Sequence, residues 1–503
     1  MAARAARVGA NMTANNLRDR RVHWTGNFRR LSRSLVAACP FLLLLGAVAS
    51  SAYLTGLWTG VHDEYPSSAL RSATMAYHTL SDKFSGDMPL ARRWADFPPN
   101  QLAQHRISRK IPVEDDSNFL FGGGPGQYLD YCPGTGCAAV ILRRDGSLVH
   151  AYPFRPNELR NKRTLELPYE EFMYDDARDT GIIGLTPLPN GDLIAVFDLQ
   201  GSVPYGGGVG RLDKDGHVLW YRRDYSDHWP ALTENNEILT ISHKIEVKDQ
   251  GEPFGDRLRM RVTCPAGKLS DIIRVLGTDG SVKEEIPLLE ALRASPYRSQ
   301  ILTSFNPVEQ ETDPCNLLHT NSVNPVSPEM AAKFKDVQSG DLLVSFRNLS
   351  AVAIVGRLDR KLKHFFRGSF LFQHSAETAP GGNILLFDNV GGRTSSRILL
   401  HDPSTGAERV IFPNADTPKD MQLFNLFGGN IDISPDGTRA LVAFYNRSRG
   451  YEIRLSDGAV LTQFENVHDL HTMPQFANQP RQVRYFVQSG IYYVRPNLLT
   501  AAR

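Results

Sequence analysis

His374 stands between the apolar run Phe370-Leu371-Phe372 and a second apolar run led in by Gly381-Gly382-Asn383. An imidazole near its ordinary pKa of about 6.5 is largely unprotonated at neutral pH, so it can act as a nucleophile and carry a transferred group. Two other residues of the same stretch suit an anionic reaction centre. Arg347 offers a planar fork of donors to charged oxygens, and His319 can donate to the same oxygens or protonate a leaving group. On position alone each has a plainer reading: His374 as a bridge between loops, Arg347 as an exposed charge at a strand end.

Short strands would position these residues. The runs Leu342-Leu343-Val344-Ser345-Phe346 and Ile384-Leu385-Leu386-Phe387 are each led by Gly-Asp or Gly-Asn, which is turn chemistry. The polar residues therefore fall at strand ends and in loops, where a rigid β scaffold displays its chemistry. A phrase of Pro-x-Gly-x-Leu with an apolar run, then Leu-Asp-x-x-Gly with another, recurs near residues 189–220, 339–366, 380–412 and 435–465. Residues 229–290 and 466–495 read as weaker copies. A period of roughly 40–50 residues with several strands per unit predicts an all-β fold, a β-propeller of about six blades over 117–503. A pair of β-sandwiches would not explain the repeat. Residues 286–294 and 328–334 are the best short helix candidates. His319, Arg347 and His374 are spaced by about 28 residues, less than one ~40–45-residue blade, so they are not equivalent positions in successive blades. They can still converge on one mouth of the channel from strand ends and loops.

Four motifs here are His-Thr-Asn-Ser (319–322), Ser-Phe-Arg-Asn (345–348), Gln-His-Ser-Ala (373–376) and Phe-Asp-Asn (387–389). Their order resembles the arylsulfotransferase family, bacterial enzymes that move a sulfo group between phenols without a nucleotide donor. The close resemblance covers roughly residues 310–400. It implies a ping-pong reaction in which a phenolic sulfate ester gives its sulfo group to His374 and a phenol then accepts it. His319 and Arg347 would hold the sulfuryl oxygens, and neither an organic cofactor nor a metal is implied. Asn321 and Asn389 are second-rank substrate-binding candidates. Asn321 would orient a phenolic oxygen or hold His319, while Asn389 also suits backbone groups in its own turn. The family carries a further histidine in an earlier blade, often in a His-His-Asp run. The matching segment here reads Ser226-Asp227-His228-Trp229-Pro230, so His228 is the candidate and His243 its competitor. The altered neighbourhood of His228 keeps open a non-catalytic propeller that serves as a binding or assembly module. A propeller hydrolase with a channel metal is a third reading.

His468 and His471 resemble a metal pair, but on a strand that spacing points them to opposite faces. A structural or pocket-lining role suits them better. Gly134-Thr135-Gly136-Cys137-Ala138-Ala139 superficially fits a dinucleotide fingerprint, yet a strand-like run follows it rather than a helix, which excludes a phosphate site of that kind. Tyr128, Tyr131, Trp220, Tyr221 and Trp229 could stack on a phenolic ring, with core packing the plainer role for most.

The 503 residues carry a formal net charge of +2, so no global basic field invites nucleic acid. Residues 1–33 concentrate that excess, with eight arginines against Asp19. A charge-free run from Leu35 to Trp58 follows, long enough to cross a bilayer as a helix. The basic flank would keep the N-terminus cytosolic and place the rest outside the cytosol, on the periplasmic side of the inner membrane in a bacterium. The expected organisation is a basic N-terminus (1–33), a single-pass transmembrane anchor (34–58), a juxtamembrane linker or stalk (59–116) and the propeller (117–503). Ala49-Ser50-Ser51-Ala52 could be a cleavage site, but the apolar run continues beyond it, which favours an uncleaved anchor. Of five cysteines, Cys39 lies in the span. In an extracytoplasmic domain the other four suit disulfides, Cys132–Cys137 and Cys264–Cys315.

Overall fold

A computed structural model describes residues 104–127, 132, 136–165, 180–199, 206–246, 268–298, 316–447, 449–467 and 489–499, together with Ser51. The chain divides into two units, Met1–Ser72 and Ala73–Arg503, and every strand described belongs to the second.

The strands form a six-bladed β-propeller whose blades are antiparallel, apart from Arg163–Leu165, which pairs parallel with the outer strand Val218–Arg223 of blade 2. Blade 2 begins with Thr180–Pro187, blade 3 with Asp227–Leu232, blade 4 with Thr320–Pro325, blade 5 with His374–Ala379 and blade 6 with Asn430–Ile433. Each of these is the inner strand of its sheet, and the next three strands in sequence add outward. Blade 1 is closed differently. Its inner strand is Gly490–Val494 from the end of the chain, paired antiparallel with Asn118–Gln127, then Cys137–Leu142 and Leu148–Pro153. This last inner strand packs against those of blades 6 and 2 and so closes the ring. The stretch 466–495, expected as a weak copy of the repeat, therefore supplies one inner strand to a blade begun more than 360 residues earlier. Gln104–Arg109, within the expected linker, lies as a fifth, outer strand on blade 6.

The recurring phrase marks the second to fourth strands of blades 2, 4, 5 and 6. Its second strands are continuously apolar because both of their faces are buried. In blade 4, Leu342, Val344 and Phe346 pack with Leu239, Ile241 and Ile273 of blade 3. Leu343, alternating to the other face, packs with Ile384 and Leu386 of blade 5. The turn before this strand needs Gly340, which has φ +87°. Asp341 then accepts from the backbone N–H of Gln338 (2.9 Å) and of Arg357 (3.1 Å) and from Lys363 Nζ (2.9 Å), tying the turn to the neighbouring hairpin. The two expected helices are present but shorter, Leu288–Arg293 and Pro328–Ala331, the second capped by the Ser327 side chain. Pro156–Lys162 adds a helix that the apolar pattern does not announce.

Cys132 and Cys137 form the expected disulfide. Cys264, Cys315, His468, His471 and the expected transmembrane span 34–58, apart from Ser51, lie outside the described residues. Among the described residues no helix is long and apolar enough to cross a membrane.

Candidate active site

Three histidines meet at one mouth of the ring, at the leading ends of three successive inner strands. The His228 ring centroid lies 5.4 Å from that of His319 and 5.9 Å from that of His374. His319 immediately precedes the inner strand of blade 4, His374 opens that of blade 5, and His228 is the second residue of blade 3. Arg347 follows the second strand of blade 4, in the short turn Arg347–Leu349. Antiparallel pairing of Thr320 with Phe346 brings that turn back to the start of the inner strand. This accounts for the 28-residue spacing: two of the residues start inner strands and the third ends the strand between them.

The backbone is bent where these residues sit. The ladder is irregular after Asp227, Thr320 and His374. His228 (φ 56°), His319 (φ 48°), Phe372 (φ 53°) and Ser375 (φ 47°) occupy the left-handed region. Each such non-glycine residue costs on the order of 1–3 kcal/mol, and strain of this kind gathers where function needs a set direction.

Each histidine has its own support. His374 Nδ1 faces two acceptors, Asn389 Oδ1 at 2.8 Å and the Phe372 carbonyl at 3.1 Å. The Asn389 amide cannot turn round, because its Nδ2 donates to the carbonyls of Asn425 (2.8 Å) and Gly428 (2.7 Å). Nδ1 of His374 therefore carries the proton, and in the neutral ring Nε2 holds the lone pair. Burial, then the charges of His228 and Arg347, hold the His374 pKa well below its ordinary value. Burial and Arg347, then His228, do the same to His319.

Arg347 is only 2 % exposed, not the surface charge its position suggested. It donates to Asn348 Oδ1 (2.9 Å), and its guanidinium lies over the rings of Phe372 (4.7 Å) and Phe427 (5.7 Å). Phe427 is 45 % exposed. Trp229 sets its indole edge-on to His374, with centroids 6.2 Å apart, and donates from Nε1 to the Ser489 carbonyl at 2.8 Å.

His243 lies behind the three rings. Its Nε2 contacts Asp227 Oδ2 (3.0 Å) and its Nδ1 contacts Asp271 Oδ1 (3.1 Å). Burial opposes charging it, but the two carboxylates outweigh burial, and its pKa is pushed up to about 10. His243 is thus an imidazolium clamped between two aspartates, and His228 is the histidine that joins the mouth. The other Asp227 oxygen lies 3.0 Å from His228 Nδ1 but too bent for a hydrogen bond. Asp271 Oδ2 accepts from the N–H (2.9 Å) and hydroxyl (2.6 Å) of Thr320, next to His319.

Asn321 and Asn389 are both fully buried. Asn321 donates to the Gln373 carbonyl at 2.7 Å, bracing the strand start that bears His374. Trp220 and Tyr221 lie in blade 2, away from these rings. Sequence reasoning passed over Asp227, Asp271, Asn316, Phe372 and Phe427. Only Asp227 and Phe372 carried a signal, standing one and two residues from a chosen histidine. A separate cavity of about 690 Å³ lies between blades 5 and 6 toward the opposite strand ends, bordered by Ala379, Asn383, Arg409 and Arg454, and no residue of the three-histidine site lines it.

The family model described as Arylsulfotransferase (ASST) matches residues 184–439, just over half of the chain, and takes in all three histidines and Arg347. The chain belongs to the arylsulfotransferase family. Comparison with curated proteins yields no match. Among solved structures, this arylsulfotransferase-family chain is similar to a protein of unknown function from Bacteroides caccae, at 13 % identity and TM-score 0.42, covering 76 % of this chain and 100 % of that one. It is also similar to a catalytically inactive virginiamycin B lyase from Staphylococcus aureus crystallised with quinupristin, at 10 % identity and TM-score 0.35, covering 72 % and 89 %. Neither likeness bears on the chemistry.

Proposed function

We propose that the protein transfers a sulfo group from a phenolic sulfate ester to a phenolic acceptor in two steps through His374. The observation that carries this is the hydrogen bonding of His374: with Nδ1 committed to Asn389 and Phe372, the lone pair sits on Nε2 of a ring that burial, first of all, keeps neutral. In the first step Nε2 attacks sulfur, the N–S bond forms and the S–O bond to the phenol breaks, its electron pair leaving on the phenol oxygen. In the second, an acceptor phenol oxygen attacks the same sulfur and the pair of the N–S bond returns to Nε2. Arg347 and His319 meet the sulfuryl oxygens, whose charge spreads in the transition state. The guanidinium is held between Phe372 and Phe427, so it arrives already oriented. Phe427 and Trp229 offer ring faces and edges to a phenol. An extracytoplasmic setting, with residues 34–58 as anchor, belongs to the same proposal and rests on the charge-free run beside the basic N-terminus.

The test is phenol release from a chromogenic phenyl sulfate, with and without an acceptor phenol. Release that depends on the acceptor, is abolished in His374→Ala and persists in chelator supports transfer. Acceptor-independent release would mean hydrolysis. No release from several donors by folded protein would leave a binding module.

A further inference from the structure

The three histidines of the mouth differ in whether they can hold a second proton, and an asparagine decides it for one of them. Asn316 Nδ2 lies 3.1 Å from His319 Nδ1, and Asn316 Oδ1 accepts the backbone N–H of His319 at 3.2 Å. A backbone N–H can only donate, so the oxygen end of the amide must face it and the NH₂ end must face Nδ1. Nδ1 therefore accepts. The segment is also pinned from outside, because Asn348 Nδ2 donates to the Asn316 carbonyl at 2.8 Å. A proton on Nδ1 would meet a donor, and turning the amide to remove that clash would strand the backbone N–H. His319 is thus held in the neutral form protonated at Nε2. A neutral imidazole can donate a hydrogen bond from that atom, but giving the proton up would leave an imidazolate, a far stronger base than a phenolate.

The departing phenolate nevertheless needs a proton. His374 cannot supply one, since its Nε2 is bonding to sulfur and its Nδ1–H is held by Asn389 and Phe372. His228 is left, and a carboxylate stands beside it, Asp227 Oδ1 at 3.0 Å from Nδ1. The groups around His228 are Asp227 on its own strand, His243 and Asp271 behind it, and His319, His374 and Arg347 at the mouth. The Asp227–His243–Asp271 cluster keeps one net negative charge when His243 is an imidazolium. That charge can offset a second proton taken up by His228, while Arg347 balances the sulfate ester.

We infer that Asn316 restricts His319 to hydrogen-bond donation and that His228, paired with Asp227, is the acid that protonates the leaving phenol and the base that deprotonates the acceptor. This rests on the sulfo-transfer reading and deepens it. In the first step His228 gives its Nε2 proton to the phenol oxygen as the S–O bond breaks. In the second, neutral His228 takes the proton of the acceptor phenol as its oxygen attacks sulfur, so the proton count closes over the cycle.

The test is the dependence on leaving group in His228→Gln and His319→Gln. Unsubstituted phenyl sulfate needs protonation as it leaves, whereas a nitrophenyl sulfate yields a stable phenolate. His228→Gln should lower single-turnover release from phenyl sulfate by at least ~100-fold and from nitrophenyl sulfate by less than ~10-fold. His319→Gln should lower both by the same factor. The reverse pattern, or an equal loss on both donors in His228→Gln, overturns the inference. A second measurement needs no turnover. In protein labelled with ring-¹³C/¹⁵N histidine, with signals assigned by the same two variants, His319 should remain the neutral Nε2–H tautomer between pH 5 and 8, and should gain a protonated form in Asn316→Asp. An imidazolium at His319 in the wild-type protein within that range overturns the inference whether or not any sulfate ester reacts. Absence of release by wild-type protein from both donors would instead refute sulfo transfer itself.

Discussion

Replacing His243 with glutamine leaves two buried carboxylates, Asp227 and Asp271, sharing one neutral amide in place of an imidazolium. Breaking a buried charge pair by removing one partner costs about 3–5 kcal/mol, most of it the penalty of the stranded charge. Proton linkage gives a second, independent magnitude. The His243 pKa is about 10 in the folded chain against 6.5 for the ordinary side chain. A folded value raised above the unfolded one means stability that is complete below pH 6.5 and lost as pH rises through 10. At pH 7 about three of those pH units lie ahead, worth about 4 kcal/mol at ~1.4 kcal/mol each, and at pH 9 only about one remains, worth about 1 kcal/mol. The two routes agree at neutral pH.

The assay is urea unfolding of wild type and His243→Gln at pH 7 and pH 9, followed by tryptophan fluorescence. Trp229 reports on the affected blade because its indole is fixed by Ser489. The variant should be less stable by about 4 kcal/mol at pH 7, and the gap should shrink by roughly 3 kcal/mol at pH 9. Other titrating groups are common to both proteins and cancel in the difference. A gap that stays constant between the two pH values would refute the charged clamp, because it would show His243 to be neutral or replaceable by any hydrogen-bonding side chain. A gap under 1 kcal/mol at pH 7 would refute its structural importance as well.

Gly184→Ala should cripple turnover without removing any reactive group. A Cβ there would lie 2.3 Å from the His228 carbonyl oxygen and 2.7 Å from the Trp229 Cα, so the His228 strand must shift; a loss in kcat of at least ~10-fold with retained circular dichroism checks it. Asn389→Ala should lower kcat by about 10- to 100-fold, equivalent to roughly 1.4–2.7 kcal/mol, and should let the His374 ring populate its other tautomer by ring NMR. Glu377→Gln should raise the thermal midpoint at pH 9 and leave it nearly unchanged at pH 5. Burial, then the charge of Asp432, pushes the Glu377 pKa up to about 8, so the fold favours the protonated acid and loses stability as pH rises through that value, whereas glutamine stays neutral.

The propeller was legible because its signal is repetitive: a Gly-led turn, a continuously apolar second strand and another turn, several times over. The closure of blade 1 was not, because pairing between Asn118–Gln127 and Gly490–Val494 leaves no local trace in either segment. At the site, residue types announced His319, Arg347 and His374, and the structure brings them together with His228. Their protonation could not be read in the same way. Asn316 stands three residues before His319 and reads as an ordinary turn residue; only the folded loop turns its NH₂ toward Nδ1. His228 and His243 looked interchangeable from sequence, and two aspartates on different strands separate a mouth histidine from a buried cation.

The motif residues that bear no chemistry of their own are stitches between blades. Gln373 Nε2 donates to Ser345 Oγ (3.0 Å) and to the carbonyls of Phe346 (3.2 Å) and Ala351 (2.8 Å), fastening the start of blade 5 to blade 4. Ser322 Oγ accepts the Ala376 N–H at 3.0 Å, and Ser375 Oγ accepts the Ile431 N–H at 2.9 Å, carrying the seam on to blade 6. These bonds flank His319 and Ser375, which sit in the left-handed region, and the break in the ladder after His374, so the strain has neighbours that resist its release. A sulfo group moving between two oxygens and one nitrogen needs those atoms aligned to within a fraction of an ångström. A ring of blades joined only by apolar packing could slide by more than that, since packing is non-directional. The polar letters beside the histidines are therefore what turns a generic propeller mouth into a site with a set geometry.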